Sequence, residues 1–174
     1  MTVERESAIV VAVEHPAIDA LPHVRQRAES GIPPHITVLY PWRTPPVDEA
    51  SMRALGRVVA SVPEFTITLT TVETFPQGVV YAAVEDASGR LGKLMLSVAA
   101  EFPDAPPYRG EFSDVVPHLT LAACTPAALA AARSEVQSLL RGILPLTVPV
   151  SDITVLAQAE TGIWAVDVKL ALGI

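Results

Sequence analysis

Two short stretches of this 174-residue chain carry the same chemistry in the same order: Pro34-His35-Ile36-Thr37-Val38-Leu39 and, in the second half, Pro117-His118-Leu119-Thr120-Leu121. Histidine has an ordinary pKa of about 6.5, so near neutral pH one imidazole of a pair can take a proton while the other gives one. A threonine hydroxyl two residues on can donate to an oxygen of the reacting group. Paired histidines and paired hydroxyls around one small anion suit phosphoester chemistry. They supply a base for the attacking oxygen, an acid for the leaving oxygen and donors for the phosphoryl oxygens.

The spacing says what must hold these groups. Side chains alternate faces along a strand, so His35 and Thr37 share one face while Ile36 and Val38 turn to the other, and His118 and Thr120 repeat the assignment. Pro34 and Pro117 hold the residues before them extended, which favours a strand starting at each histidine. Two equivalent half-sites on two strands are expected.

The duplicated His-x-Thr pattern resembles the two-histidine phosphoesterase superfamily, and within it the bacterial 2'-5' RNA ligase/cyclic phosphodiesterase type. The phrase Gly31-Ile32-Pro33-Pro34-His35-Ile36-Thr37-Val38-Leu39-Tyr40-Pro41 is similar to that group as well. The resemblance spans nearly the whole chain, residues 1–174, as one two-lobed domain. It implies catalysis by His35 and His118, phosphate contacts from Thr37 and Thr120, and opening of 2',3'-cyclic phosphates on nucleotides or RNA ends. Cleavage or ligation of 2'-5' RNA linkages is the same-site alternative; a nucleotide- or RNA-end-binding module without turnover is the alternative from another class. Relatives commonly carry a basic residue shortly after the second motif. Here Ala122 and Ala123 stand there, so the charge is expected from elsewhere: first Arg109, in the loop before the second motif, then Arg43 or Lys93. Tyr40, Trp42 and Tyr108 are candidates to stack on a base.

Composition narrows the classes further. Half the residues are hydrophobic, which is incompatible with wholesale disorder. Twelve Lys and Arg against nineteen Asp and Glu give a net charge of −7, which argues against wrapping long nucleic acid and leaves room for a small nucleotide or an RNA end. The one cysteine, Cys124, excludes an intrachain disulfide and agrees with a reducing compartment. The opening residues do not read as a signal peptide, and no apolar run reaches the roughly 20 residues of a membrane span. A cytoplasmic monomer without cofactor is expected. No metal-binding pattern and no glycine-rich phosphate loop accompany the motifs. His15 and His23 lack duplicated context and are read as surface or interface histidines.

Around the motifs the periodicities give a strand at 8–13, a helix over about 17–29, the first motif strand at 32–40 and a helix capped by Asp48 running to about 62. A hairpin follows (65–75 and 79–84, turning at Pro76-Gln77-Gly78), then a helix at 88–101 and a loop at 102–114 holding Tyr108-Arg109-Gly110. The second motif strand leads to a helix with Thr125 at its N-cap and Gly142 at its stop. Strands at 144–157 and 163–172, turning at Glu160-Thr161-Gly162, end the chain. The order repeats with the motif. It predicts an α+β fold of two pseudo-symmetric lobes, each an antiparallel sheet with outer helices, facing across a central cleft.

Overall fold

The computed structural model describes residues 4–174. Its strands are β1 (Ser7–Ala12), β2 (His35–Leu39), β3 (Phe65–Phe75), β4 (Val79–Glu85), β5 (His118–Ala123), β6 (Leu146–Val150), β7 (Asp152–Gln158) and β8 (Trp164–Ala171). Among the described residues they form one curled antiparallel sheet in the order β6-β3-β4-β5-β2-β1-β7-β8. The helices are α1 (Pro16–Asp19), α2 (Pro22–Glu29), α3 (Glu49–Ala60), α4 (Arg90–Glu101) and α5 (Leu129–Leu139). The architecture is the α+β, two-lobed cleft arrangement that the motif duplication implied.

The lobes are not the two halves of the chain. One contains β1, β2, β7 and β8, and the other contains β3 to β6, so the last hairpin returns to complete the lobe that the N-terminal strands began. The apolar run 144–157, expected as one strand, divides at Ser151. Before it, β6 pairs with β3; after it, β7 crosses to the other lobe and pairs with β1. The motif strands β2 and β5 meet at the centre, with Ile36 and Leu119 as backbone partners.

Alternation along the motif strands does the sorting. Ile36, Val38, Leu119 and Leu121 are buried, and they enter the main core with Leu55, Leu91 and Leu94 from the helices. That burial holds β2 and β5 in one register, because a slip of one residue would carry the leucines to solvent and the histidines into the core. The helices also cross between lobes. α2, which precedes β2 in sequence, packs against β5, while α4 packs against β2.

Local chemistry accounts for the helix ends. The Asp48 carboxylate accepts the Ser51 N–H (2.8 Å) and caps α3, as expected. The segment 17–29 breaks into α1 and α2 because Pro22 has no N–H to continue the ladder and takes the first position of a new helix instead. Thr125 makes no side-chain cap; a short 3-10 turn, Pro126–Ala128, leads into α5, which ends before Gly142. At Gly31 the backbone is left-handed (φ 80°), and a Cβ there would lie 1.7 Å from the carbonyl oxygen of Trp164. Only glycine lets the loop into β2 press so closely on β8.

Candidate active site

The face of β2 and β5 opposite the core carries the four motif side chains. Continuing the Ile36–Leu119 register by one residue each way sets His35 beside Thr120 and Thr37 beside His118. Each histidine is therefore turned toward the other motif's hydroxyl across the seam. All four side chains line one cavity of about 470 Å3.

Both imidazoles are oriented by the same bond. His35 Nδ1–H donates to the Pro33 carbonyl at 2.7 Å, and His118 Nδ1–H donates to the Val116 carbonyl at 2.8 Å. A carbonyl only accepts, so the neutral rings carry their proton on Nδ1 and keep Nε2 as the free base. In each case the acceptor lies two residues upstream, on the segment that holds the proline before the motif. Burial pushes the His35 pKa below its ordinary value; the Pro33 carbonyl opposes this, and the charges of Arg27 and His118 add to it. His35 is thus disposed to be neutral at neutral pH.

The sequence reading missed Arg27. It lies on the exposed side of α2, and because α2 packs against β5 it lines the cavity with His35, Thr37, His118 and Thr120. No other Lys or Arg of the described residues lines that cavity. Arg27 also borders a chamber of about 40 Å3 behind His35, together with His23 and Thr120. His23, read as a surface or interface histidine, has its Nε2 buried there without a hydrogen-bond partner among the described residues, and burial followed by the Arg27 charge lowers its pKa. His15 has a local role: its Nδ1 accepts the Ala17 N–H at the start of α1.

Arg109 does not reach the cavity. It is exposed and paired with Glu6, whose carboxylate also accepts the Tyr40 hydroxyl. The backbone explains the placement: Tyr108 and Arg109 both take left-handed conformations (φ 50° and 55°), and the Tyr108 N–H donates to the Tyr40 carbonyl at 2.7 Å. The turn directs Tyr108 into the cavity wall and Arg109 out to the rim. Such angles are uncommon outside glycine. Arg43, the next candidate, is held elsewhere, bidentate to Asp104 at 3.0 and 3.2 Å.

Of the three aromatic candidates, Tyr40 and Tyr108 line the cavity and Trp42 does not. Trp42 is 4% exposed and packs edge-on to Phe102 at 5.3 Å, inside the core. Trp164, at the start of β8 and not singled out from the sequence, takes the place expected of Trp42, lining the cavity 6.4 Å from the Tyr40 ring. Burial, the bond to Glu6 and the Glu6 charge push the Tyr40 pKa up to about 12, so its hydroxyl stays protonated. Burial also raises Tyr108, against a hydrogen bond from Thr37.

Among the described residues no three His, Cys, Asp or Glu side chains gather where a metal ion would be held, and no helix is long and apolar enough to cross a membrane.

The family model of the 2'-5' RNA ligase superfamily matches residues 10–162. No curated protein matches the chain by sequence. Among solved structures, E. coli LigT complexed with 3'-AMP superposes with a TM-score of 0.61 at 14% identity, covering 97% of this chain and 98% of that one. E. coli LigT complexed with phosphate gives 0.62 at 16%, covering 99% and 100%. A phosphoesterase gives 0.63 at 15%, again covering 99% and 100%. At these identities the likeness is one of fold.

Proposed function

The chain belongs to the 2'-5' RNA ligase superfamily, and from that premise we propose that it is a phosphoesterase that opens 2',3'-cyclic phosphates on nucleotides or RNA ends. The observation that carries this reading is the crossed arrangement of two histidines, each with its Nδ1 tied to a carbonyl and each beside the other motif's threonine. Because the half-sites interdigitate across the seam, the two lobes act as one catalytic unit.

In this scheme His35, whose pKa burial lowers, is the general base. Its Nε2 takes a proton from water as the water oxygen attacks phosphorus. The bond from phosphorus to one ribose oxygen breaks, and protonated His118 delivers its Nε2 proton to that oxygen, leaving a phosphomonoester and a free hydroxyl. The Thr37 and Thr120 hydroxyls donate to the non-bridging oxygens. Arg27 supplies the positive charge that Ala122 and Ala123 do not, with the planar fork of donors that phosphate accepts. The base of the nucleotide rests against Tyr40 and Trp164. Nothing in these steps draws on a metal ion. The same groups run in reverse, with a ribose hydroxyl in place of water, would make or break a 2'-5' linkage, a reading favoured by the family's description.

Turnover of 2',3'-cyclic mononucleotides by the purified protein, with the position of the product phosphate determined, tests the proposal. Hydrolysis that persists in EDTA is expected. Binding of the cyclic nucleotide with no turnover from pH 5 to 9 would leave the protein a binding module.

A further inference from the structure

The sheet ends in β6 on one side and β8 on the other, and the two edges are built differently. β6 is five residues long and contains Pro149, which blunts the edge because proline has no N–H to offer a further strand. β8 runs for eight residues without proline or glycine, and among the described residues only β7 pairs with it. Its outer edge is closed at both ends. The Ser30 carbonyl takes the Trp164 N–H at 2.9 Å, the Gly173 N–H donates to the Val62 carbonyl at 2.8 Å, and the Gly173 carbonyl accepts the Glu64 N–H at 3.1 Å. Between these closures lies an open stretch, residues 165–171, in which Ala165, Val166, Asp167, Lys169 and Ala171 are exposed and Val168 and Leu170 half-buried. Val166 alone is a 51% exposed apolar side chain.

The open stretch, Ala165-Val166-Asp167-Val168-Lys169-Leu170-Ala171, is complementary to itself about its middle residue. Laid antiparallel against a second copy with a two-fold axis at Val168, it sets Asp167 of each copy opposite Lys169 of the other, Val166 opposite Leu170 and Ala165 opposite Ala171. The backbone is disposed to match. The Leu172 N–H donates to the Ser151 carbonyl, so by alternation Leu170 and Val168 turn their peptide groups to β7, while Lys169 and Ala171 turn theirs to the open edge. A lysine on an edge strand commonly keeps another strand away. Here a carboxylate stands at the matching position, so self-pairing joins unlike charges. Both charges are free to take part: among the described residues neither Asp167 nor Lys169 is in an ion pair, and the register with β7 passes over Asp167 at a bulge. We propose that β8 is a dimerisation edge that joins two copies of this chain in a two-fold antiparallel ladder over residues 165–171, in place of the monomer expected from the sequence.

Seven paired residues make a small interface, so the association depends on concentration. Sedimentation velocity over about 1–200 μM, the range of a weak dimer, shows the mass rising from one chain toward two. Lys169→Asp and Asp167→Lys each put like charges opposite one another at two symmetric positions, and each raises the dimer Kd about tenfold or more. The double variant, Asp167→Lys with Lys169→Asp, restores the opposition of unlike charges and returns the Kd to that of wild type. An equimolar mixture of the two single variants does the same, because each supplies the charges that the other lacks. Both side chains are exposed, so circular dichroism and thermal melting of the single variants match wild type at concentrations where all are monomeric. A wild-type protein that stays monomeric across the range overturns the proposal. A dimer that the single reversals leave intact, or that neither the double variant nor the mixture restores, is held by another surface and overturns it equally.

Discussion

Ile36 and Leu119 are backbone partners at the seam between β2 and β5, and both side chains are fully buried. That contact fixes which groups face each other on the opposite side. His35→Ala and His118→Ala are each expected to lower turnover by about 10²-fold or more, since each removes a proton-transfer group, while circular dichroism and thermal melting show a folded protein. Thr37→Val and Thr120→Val keep strand shape and lose a donor to a charged oxygen, and about a tenfold drop in kcat/KM is expected of each. Unchanged kinetics in both valine variants would reduce the threonines to packing residues.

Arg27 and His35 are coupled through charge, and the sign of the coupling can be read from the pH profile. The Arg27 guanidinium disfavours the imidazolium of His35, adding to the effect of burial. The acid limb of kcat/KM, where the base becomes protonated, therefore lies below 6.5. Arg27→Gln removes the charge, the His35 pKa rises, and the limb moves to higher pH, so the variant loses proportionally more activity at pH 6 than at pH 8. An overall loss of about tenfold or more is expected as well, from the missing phosphate contact. A limb that stays in place would separate Arg27 from His35.

Arg109→Ala makes the contrast. Its side chain is engaged with Glu6 at the rim and is more than half exposed, so its removal frees the Glu6 carboxylate without taking a donor from the phosphate. A change in kcat/KM well below that of Arg27→Gln is expected on cyclic mononucleotides. If Arg109→Ala is the more damaging of the two, the phosphate charge comes from the rim and not from α2.

What the sequence made readable here was whatever depends on alternation and local caps. The period of two at Ile36/Val38 and Leu119/Leu121 separated core from site, and Asp48 marked the start of α3. What escaped depends on contacts distant in sequence. Nothing within 144–157 announces that β6 pairs with β3 and β7 with β1, since no glycine or turn pair marks the crossing at Ser151. Arg27 looks like any exposed arginine on a helix until α2 is laid against β5. Trp42, close to the first motif, was drawn into the core by Phe102, whereas Trp164, far from either motif, reached the cavity through β8.

The two tryptophans should divide stability from binding. Trp42→Ala leaves a large void among buried side chains, and a loss of about 3–5 kcal/mol is expected in denaturant unfolding. Trp164→Ala removes a partly exposed ring from the cavity wall, so KM for a cyclic nucleotide should rise several-fold with a smaller change in stability. A normal KM in Trp164→Ala would take the base away from this wall.

Gly31 and Gly162 have nearly the same left-handed backbone, φ 80° and 84°, yet differ in what surrounds them. A Cβ at Gly162 meets nothing within 4 Å, whereas one at Gly31 meets the Trp164 carbonyl at 1.7 Å, a distance that forces backbone to move. The Ser30 carbonyl also accepts the Trp164 N–H at 2.9 Å, so the same contact anchors the loop that delivers Ile32, Pro33 and then His35. Gly162→Ala should therefore show conformational strain alone, of about 1 kcal/mol, or roughly 2–4 °C in Tm for a chain of this size. Gly31→Ala should lose clearly more. Because Ile32 lines the cavity and the Pro33 carbonyl holds His35 Nδ1, its kcat/KM should fall too, while that of Gly162→Ala holds. Equal Tm losses in the two variants, with catalysis intact in both, would mean that the close approach of the loop to β8 does not position His35.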